Sequence, residues 1–169
     1  MSRKLQVKSV VLDSCFLITL CDAHRPNHET ARKYFKFWVE NGNLMLVPTI
    51  CLAEYWTREP NLPSSVMEHV KVKSFNVEDA VIASKLIRDK IVVRDGSQRD
   101  IFKDDVKIIG SACALKAVAI ATEDAKTMAR YVSLSSKRCQ EANCLRAVLI
   151  SQPFNTGTAE FGDPTFPNM

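Results

Sequence analysis

The stretch VVLDSCFLITL, residues 10–20, sets a lone carboxylate between two segments that both belong in a core. Val10, Val11 and Leu12 end a strand-like run that starts at residue 5, and residues 14–21 read as a short buried helix. Asp13 is therefore either a helix cap, a role for which Ser14 competes, or a ligand at the mouth of a site. A strand that runs straight into an acid and then a helix is the junction found at the carboxyl end of a parallel strand in α/β proteins.

The same alternation continues outward from it. RPNHETARKYFKFWVENG (25–42) is an amphipathic helix, with Asn27 as its cap, a buried stripe of Ala31, Tyr34, Phe35, Trp38 and Val39, and Gly42 as its stop. LMLV (44–47) is a buried strand, TICLAEYWTR (49–58) a helix, and PNLPSS (60–65) a loop. Residues 71–77 suit an edge strand, and VEDAVIASKLIRDK (77–90) is a helix capped by Asn76 with Asp79 three residues on. VVRDGSQRDIFKDD (92–105) looks like a polar loop, and DVKIIGSACALKA (105–117) a helix. VAIAT (118–122) and LRAVLI (145–150) are strands on either side of a helix that starts in DAKTMARYV (124–132). The expected fold class is α/β, a three-layer α/β/α arrangement around a mostly parallel sheet of four or five short strands. Residues 1–150 form the domain, and the Pro-, Gly-, Asn- and Thr-containing tail 151–169 is expected to wrap it irregularly.

Composition narrows the function classes. The chain is 46% hydrophobic and 25% charged, and its net charge of +4 permits a polyanionic partner without requiring one. No apolar run approaches the roughly 18–20 residues of a membrane span. The basic N-terminal stretch leads through Asp13 to no small-residue cleavage site, so no signal peptide is read and a cytoplasmic location is expected. Cysteines at 15, 21, 51, 113, 139 and 144 form no CxxC pair and sit in apolar segments, which favours buried free thiols over zinc ligands or disulfides. His24, His28 and His69 lack ligand spacing and are expected at the surface; Trp38 and Trp56 are expected in the core.

Four acids stand out by placement. Asp13 and Asp124 follow strands, where ligands of open parallel sheets bind. Glu54 lies on an otherwise apolar helix, where an ionised side chain is costly unless paired or coordinating. Asp105 shares a helical face with Ile108, Ile109 and Ala112, whereas Asp104 aligns with Lys107 and Ser111 on the wetter side. Taken singly, each has a plainer explanation: caps or first-turn acids for the aspartates, an ion pair with Arg58 for Glu54. If the four converge, their repulsion calls for a hard cation with oxygen ligands, Mg²⁺ or Mn²⁺, and the matching reaction is metal-dependent phosphodiester hydrolysis.

VVLDSCFLITL, RPNHETARKYFKFWVENGNLMLVPTICLAEYW, FNVEDAVIASKLIRDK and DDVKIIGSACALKAVAIATEDAKTM, taken in that order over about residues 8–150, resemble a PIN domain, nearest in style to VapC-type toxin ribonucleases. The resemblance implies a metal-dependent nuclease acting on RNA, often a homodimer and, in toxins, silenced by an antitoxin protein. It sets the site on Asp13 with Ser14 beside it, on Glu54 of LAE, on Asp105 of DVKIIGSA and on Asp124 of ATED. Asp13, Asp105 and Asp124 would bind metal, and Glu54 would complete the site or position the attacking water. Ser14, Arg94, Arg99 and Lys103 are candidate substrate contacts. The long charged loop 90–103 and the tail beyond residue 150 depart from a minimal domain of this kind. The competing readings are a non-catalytic PIN-fold RNA-binding or assembly module and an aspartyl phosphotransfer domain. The latter lacks the DxD that a phosphatase would carry at DSC.

Overall fold

The structure is a computed structural model that describes residues 7–94 and 99–161. Among them five strands, β1 (Ser9–Leu12), β2 (Leu44–Pro48), β3 (Val70–Lys73), β4 (Ala119–Thr122) and β5 (Arg146–Leu149), make one sheet in the order β3-β2-β1-β4-β5. Every neighbouring pair is parallel. The fold is thus the expected α/β class with a central parallel sheet. β1 lies at the centre, paired to β2 through Val10↔Met45 and to β4 through Leu12↔Ala121, and its Val10, Val11 and Leu12 have no exposed surface. A strand buried on both faces needs this unbroken apolar run, which is why its sequence does not alternate.

The strand order reverses at β1. From β1 the chain runs through α1 (Ser14–Cys21) and α2 (His28–Glu40) to β2, then α3 (Thr49–Trp56) and the short α4 (Ser64–Met67) to β3. It returns through α5 (Val77–Arg88) and α6 (Arg99–Ala114) to β4, and through α7 (Met128–Arg138) to β5. α1 packs on α2 and α3, while α6 packs on α5 and α7. Right-handed crossovers running outward in both directions from β1 put these two groups on opposite faces, which gives the three layers. In open parallel sheets the place where the order reverses, here outside the carboxyl ends of β1 and β4, is where ligands bind.

Local signals account for most boundaries. Asn76 and Asp79 form a reciprocal capping box at the start of α5. Gly42 ends α2 with φ +64°. The edge strand β3 carries Lys71 and Lys73, charges that discourage pairing with another chain. Three expectations need correction. α6 begins at Arg99, so residues 99–103 of the supposed loop are helical. The charged residues hid a stripe of Phe102, Val106 and Ile109, all buried, with Phe102 edge-on to Tyr131 at 5.8 Å. Ser111 is not on a wet side: it is buried and donates to Asp79 Oδ2 at 3.1 Å. Trp56, the last residue of α3, is 52% exposed although Cys51, Leu52 and Tyr55 of the same helix are buried.

Trp38 is fully buried as expected, but part of its cover comes from the tail. Its Nε1 donates to Ala159 O at 3.1 Å, Phe161 stacks on it at 6.2 Å, and Phe154 meets Tyr34 edge-on. These residues flank α8 (Thr156–Ala159), a helical turn capped by Asn155, so the tail as far as residue 161 closes the α2 face in ordered fashion.

Asp79 and Gly110 hold α5 against α6. The Asp79 carboxylate, fully buried, accepts from Lys73 Nζ at 2.6 Å and from Ser111 Oγ, tying β3, α5 and α6 together. A Cβ on Gly110 would stand 2.8 Å from Asp79 O and 2.9 Å from the Ala83 Cβ. Gly110→Ala should therefore cost about 1–3 kcal/mol through forced separation of the two helices. Urea denaturation monitored by circular dichroism checks this, and an unchanged midpoint would contradict the close packing.

Candidate active site

Asp13 is placed by register. Leu12 pairs with Ala121, Asp13 N donates to Ala121 O at 3.0 Å, and the Asp13 side chain stands beside Thr122, the last residue of β4. Asp13 caps α1, accepting from Ser14 N at 2.8 Å on Oδ1. Its Oδ2 accepts from Thr122 Oγ1 at 2.8 Å and from the Cys15 thiol at 3.0 Å. Burial pushes the carboxyl above its usual range, the nearby Asp124 adds to that, and the hydrogen bonds from Cys15, Thr122 and Ser14 oppose it. The cap and the site readings of Asp13 are thus compatible.

Asp124 follows β4 in a turn that precedes α7. Its Oδ1 accepts from Lys126 N at 2.8 Å and Thr127 N at 2.9 Å, and its Oδ2 from the Thr127 hydroxyl. Burial acts to raise its pKa, but these hydrogen bonds outweigh burial and hold it below the ordinary carboxylate range. Asp124 N donates to Thr122 Oγ1 at 3.0 Å, so one hydroxyl at the end of β4 links the first and last acids.

Asp105 lies in the second turn of α6 rather than at its head, so the cap reading does not apply. It is half-buried, and its Oδ2 has no hydrogen-bond partner. Its carboxyl is raised to about 7, first by burial and then by the charges of Asp13, Asp124 and Glu54, with a Thr127 hydrogen bond opposing. Asp104 turns away and pairs with Lys107 at 2.8 Å. The helix phase expected for these two neighbours is the one observed.

Glu54 is exposed and forms no ion pair with Arg58. It is near enough for its charge to act on Asp105 and on Cys51, but the shielded environment expected from its apolar neighbours is not there. α3 presents Ala53, Glu54 and Trp56 to solvent and buries its other side. Ser14 contributes its backbone amide to Asp13, while Arg94 and Lys103 are exposed and make no contact with the acids. The Arg99 side chain lies outside the described residues. Among the described residues no three His, Cys, Asp or Glu side chains stand as a ready-made metal site. The six cysteines are free.

Several residues that matter here were not singled out in the sequence. Thr122, Thr127 and Cys15 grip the aspartates, and the Cys51 thiol lies 3.9 Å from Asp13 Oδ1. Glu123, next to Asp124, accepts from Thr19 at 3.0 Å, Arg25 at 2.8 Å and Asn27 at 2.6 Å. Burial acts to raise Glu123, but those partners prevail and hold it low. Asn27, expected to cap α2 with its side chain, spends that side chain on Glu123 instead and thereby pins the α1–α2 loop beside the site. A hydroxyl two residues before an acid at a strand end is the one sequence signal that pointed to Thr122.

No protein-family model and no curated protein matches this chain. Solved structures do. A structure of VapBC2 from Rickettsia felis bound to a DNA fragment from their promoter matches with a TM-score of 0.55 at 14% identity, covering 83% of this chain and 98% of that one. DNA-bound VapBC from Salmonella typhimurium matches with a TM-score of 0.50 at 16% identity, covering 86% and 99%. At this identity the likeness establishes a shared fold, the PIN-like architecture of VapC structures.

Two measurements probe this geometry. Thr122→Val keeps the shape of the side chain but strips a donor from a buried carboxylate, which should cost about 1–3 kcal/mol in urea denaturation. Asp105 gives a pH signature. Its folded value of about 7 lies above the 3.8 of an ordinary aspartate, so between those values the folded chain holds a proton that the unfolded chain releases. Stability without metal should fall as pH rises through that window and level off above it. In Asp105→Asn that component of the slope should vanish; identical melting-temperature profiles from pH 4 to 8 for parent and variant would show the assignment to be wrong.

Proposed function

We propose that this chain is a divalent-metal-dependent endoribonuclease whose site is Asp13, Glu54, Asp105 and Asp124. The observation that carries the reading is the buried, unpartnered Oδ2 of Asp105, on a carboxyl whose charge is opposed by burial and by the three other acids. Such a group is stabilised by a cation, and an all-oxygen set suits Mg²⁺ or Mn²⁺ rather than zinc. Asp13, Asp105 and Asp124 are the residues that would hold it. A bound ion of this kind supplies Lewis acidity toward a phosphodiester and lowers the pKa of water.

The chain's own residues do the remaining work. Thr122 and Cys15 hold Asp13 in one orientation, and the Thr127 hydroxyl and amide do the same for Asp124. Glu54, open to solvent at the rim, is placed to orient an attacking water or accept its proton. Single-stranded RNA fits a crevice at strand ends, where its backbone and bases are accessible. The fold likeness to VapBC structures supports a small antitoxin protein as a partner, and a homodimer is proposed on the same footing. No helix among the described residues is long and apolar enough to cross a membrane.

A non-catalytic RNA-binding or assembly module on the same fold is favoured by one observation, the lack of a ready-made trio of ligands among the described residues. One set of assays separates the two. Single-stranded and structured RNAs should be cut in Mg²⁺ or Mn²⁺, and EDTA should stop the reaction. Asp13→Asn, Asp105→Asn and Asp124→Asn should each lose nearly all cleavage, and Asp105→Asn should, without metal, melt no lower than the parent, because repulsion and the burial of a charge are both relieved. Asp104→Asn should retain most activity. Cleavage that survives chelation would sink the metal mechanism, and binding of RNA without cleavage under any metal would leave the module.

A further inference from the structure

A second concavity lies further along the helices that carry two of the proposed site acids. It has a volume of about 540 Å³ and sits between the later turns of α1 and α3. Ile18, Cys21 and Tyr55 line it. Arg58, Glu59 and Asn61 line it as well, on the exposed stretch that follows α3. That volume is in the range of small-ligand pockets, and its lining joins the apolar surface of Ile18 to a wall of mostly polar and charged side chains.

Position relates the pocket to the acids. Ile18 is five residues and Cys21 eight residues along α1 from Asp13, which at about 1.5 Å per residue is about 7.5–12 Å. On the other wall Arg58 follows Glu54 by one helical turn. A strand with its phosphate at the acids would therefore present a neighbouring nucleotide to this pocket. The charges narrow its chemistry. Asp22 is engaged by His24 N at 2.9 Å and Arg25 by Glu123 at 2.8 Å. Among the described residues the side chains of Arg58 and Glu59 have neither a hydrogen-bond nor an ion-pair partner, so one guanidinium and one carboxylate are free on the wall. A free carboxylate offers two acceptors side by side. Guanine is the base whose Watson–Crick edge offers two adjacent donors, N1–H and the N2 amino group, and bases of single strands are read on that edge.

We infer that the α1–α3 pocket is a nucleobase subsite selective for guanine, with Glu59 reading the base and Arg58 taking the adjoining phosphate. The inference rests on the proposed ribonuclease reading for its purpose, but its test does not depend on cleavage. The four 5′-mononucleotides GMP, AMP, CMP and UMP are titrated into the full chain in EDTA, followed by the resonances of Ile18 and Tyr55 and by the rate of Cys21 alkylation. GMP should shift those resonances, slow the alkylation, and bind at least about tenfold more tightly than the other three, the discrimination typical of a bidentate contact to a base. Glu59→Gln should remove that preference while leaving a folded protein, since the side chain is exposed. Equal binding of the four nucleotides, shifts confined to other parts of the chain, or undiminished guanine preference in Glu59→Gln would each overturn the inference. Guanine selectivity in a protein that cleaves no RNA would uphold the subsite and remove the nuclease reading. RNA cleavage without guanine selectivity would do the reverse.

Discussion

The hydrogen bond from Thr122 Oγ1 to Asp13 Oδ2, 2.8 Å long, spans the point where the strand order reverses. A carboxylate there is nearly out of reach of water, only 6% exposed, and burying one without partners is prohibitively costly. Thr122, Cys15 and the Ser14 amide make it tolerable. The same hydroxyl accepts from Asp124 N, so the geometry of the last acid is set by the residue that compensates the first. The arrangement requires β1 and β4 to be adjacent and parallel, in the register that puts Asp13 beside Thr122.

The acids differ in how well they are satisfied, and that difference is the functional signature. The hydrogen bonds to Asp124 outweigh its burial, those to Asp13 do not, and Asp105 has both its burial and the charges of the other acids against it. Asp79 also has a buried oxygen without a partner, Oδ1, but its charge is paired: Oδ2 accepts from Lys73, Ser111 and the Asn76 amide. Asp105 differs in having no ion-pair partner among the described residues: its unpartnered oxygen belongs to a carboxyl on which the charges of Asp13, Asp124 and Glu54 act, a cost the fold itself does not relieve. Groups kept in that state cluster at functional sites.

α6 supports this arrangement from behind. Its contact with α5 at Gly110 and its Ser111 bond to Asp79 fix the helix in translation and in rotation. Asp105 therefore reaches the strand ends from a helix held by a buried ion pair on one side and by the Phe102–Tyr131 contact on the other. On the opposite face, Glu123 binds the α1–α2 loop through Arg25 and Asn27, so the segment next to Asp124 is restrained as well.

Periodicity in the chain alone determined the α/β class, the parallel sheet and the position of Asp13, because an unbroken apolar run ending in an acid has few other homes in a parallel fold. The phase of Asp105 against Asp104 was legible for the same kind of reason: a helix of about 3.6 residues per turn puts them about 100° apart, and only one faces Ile108 and Ile109. Other features needed the tertiary structure. RDIFKDD reads as a polar loop until Tyr131 supplies the surface against which Phe102 packs, and only then does the helix start at Arg99. Trp56 and Glu54 looked shielded because their neighbours in sequence are apolar, yet each is exposed in the folded chain. The roles of Thr122, Cys15 and Glu123 depend on residues about a hundred positions away along the chain, brought together by strand pairing, and no local pattern carries that information.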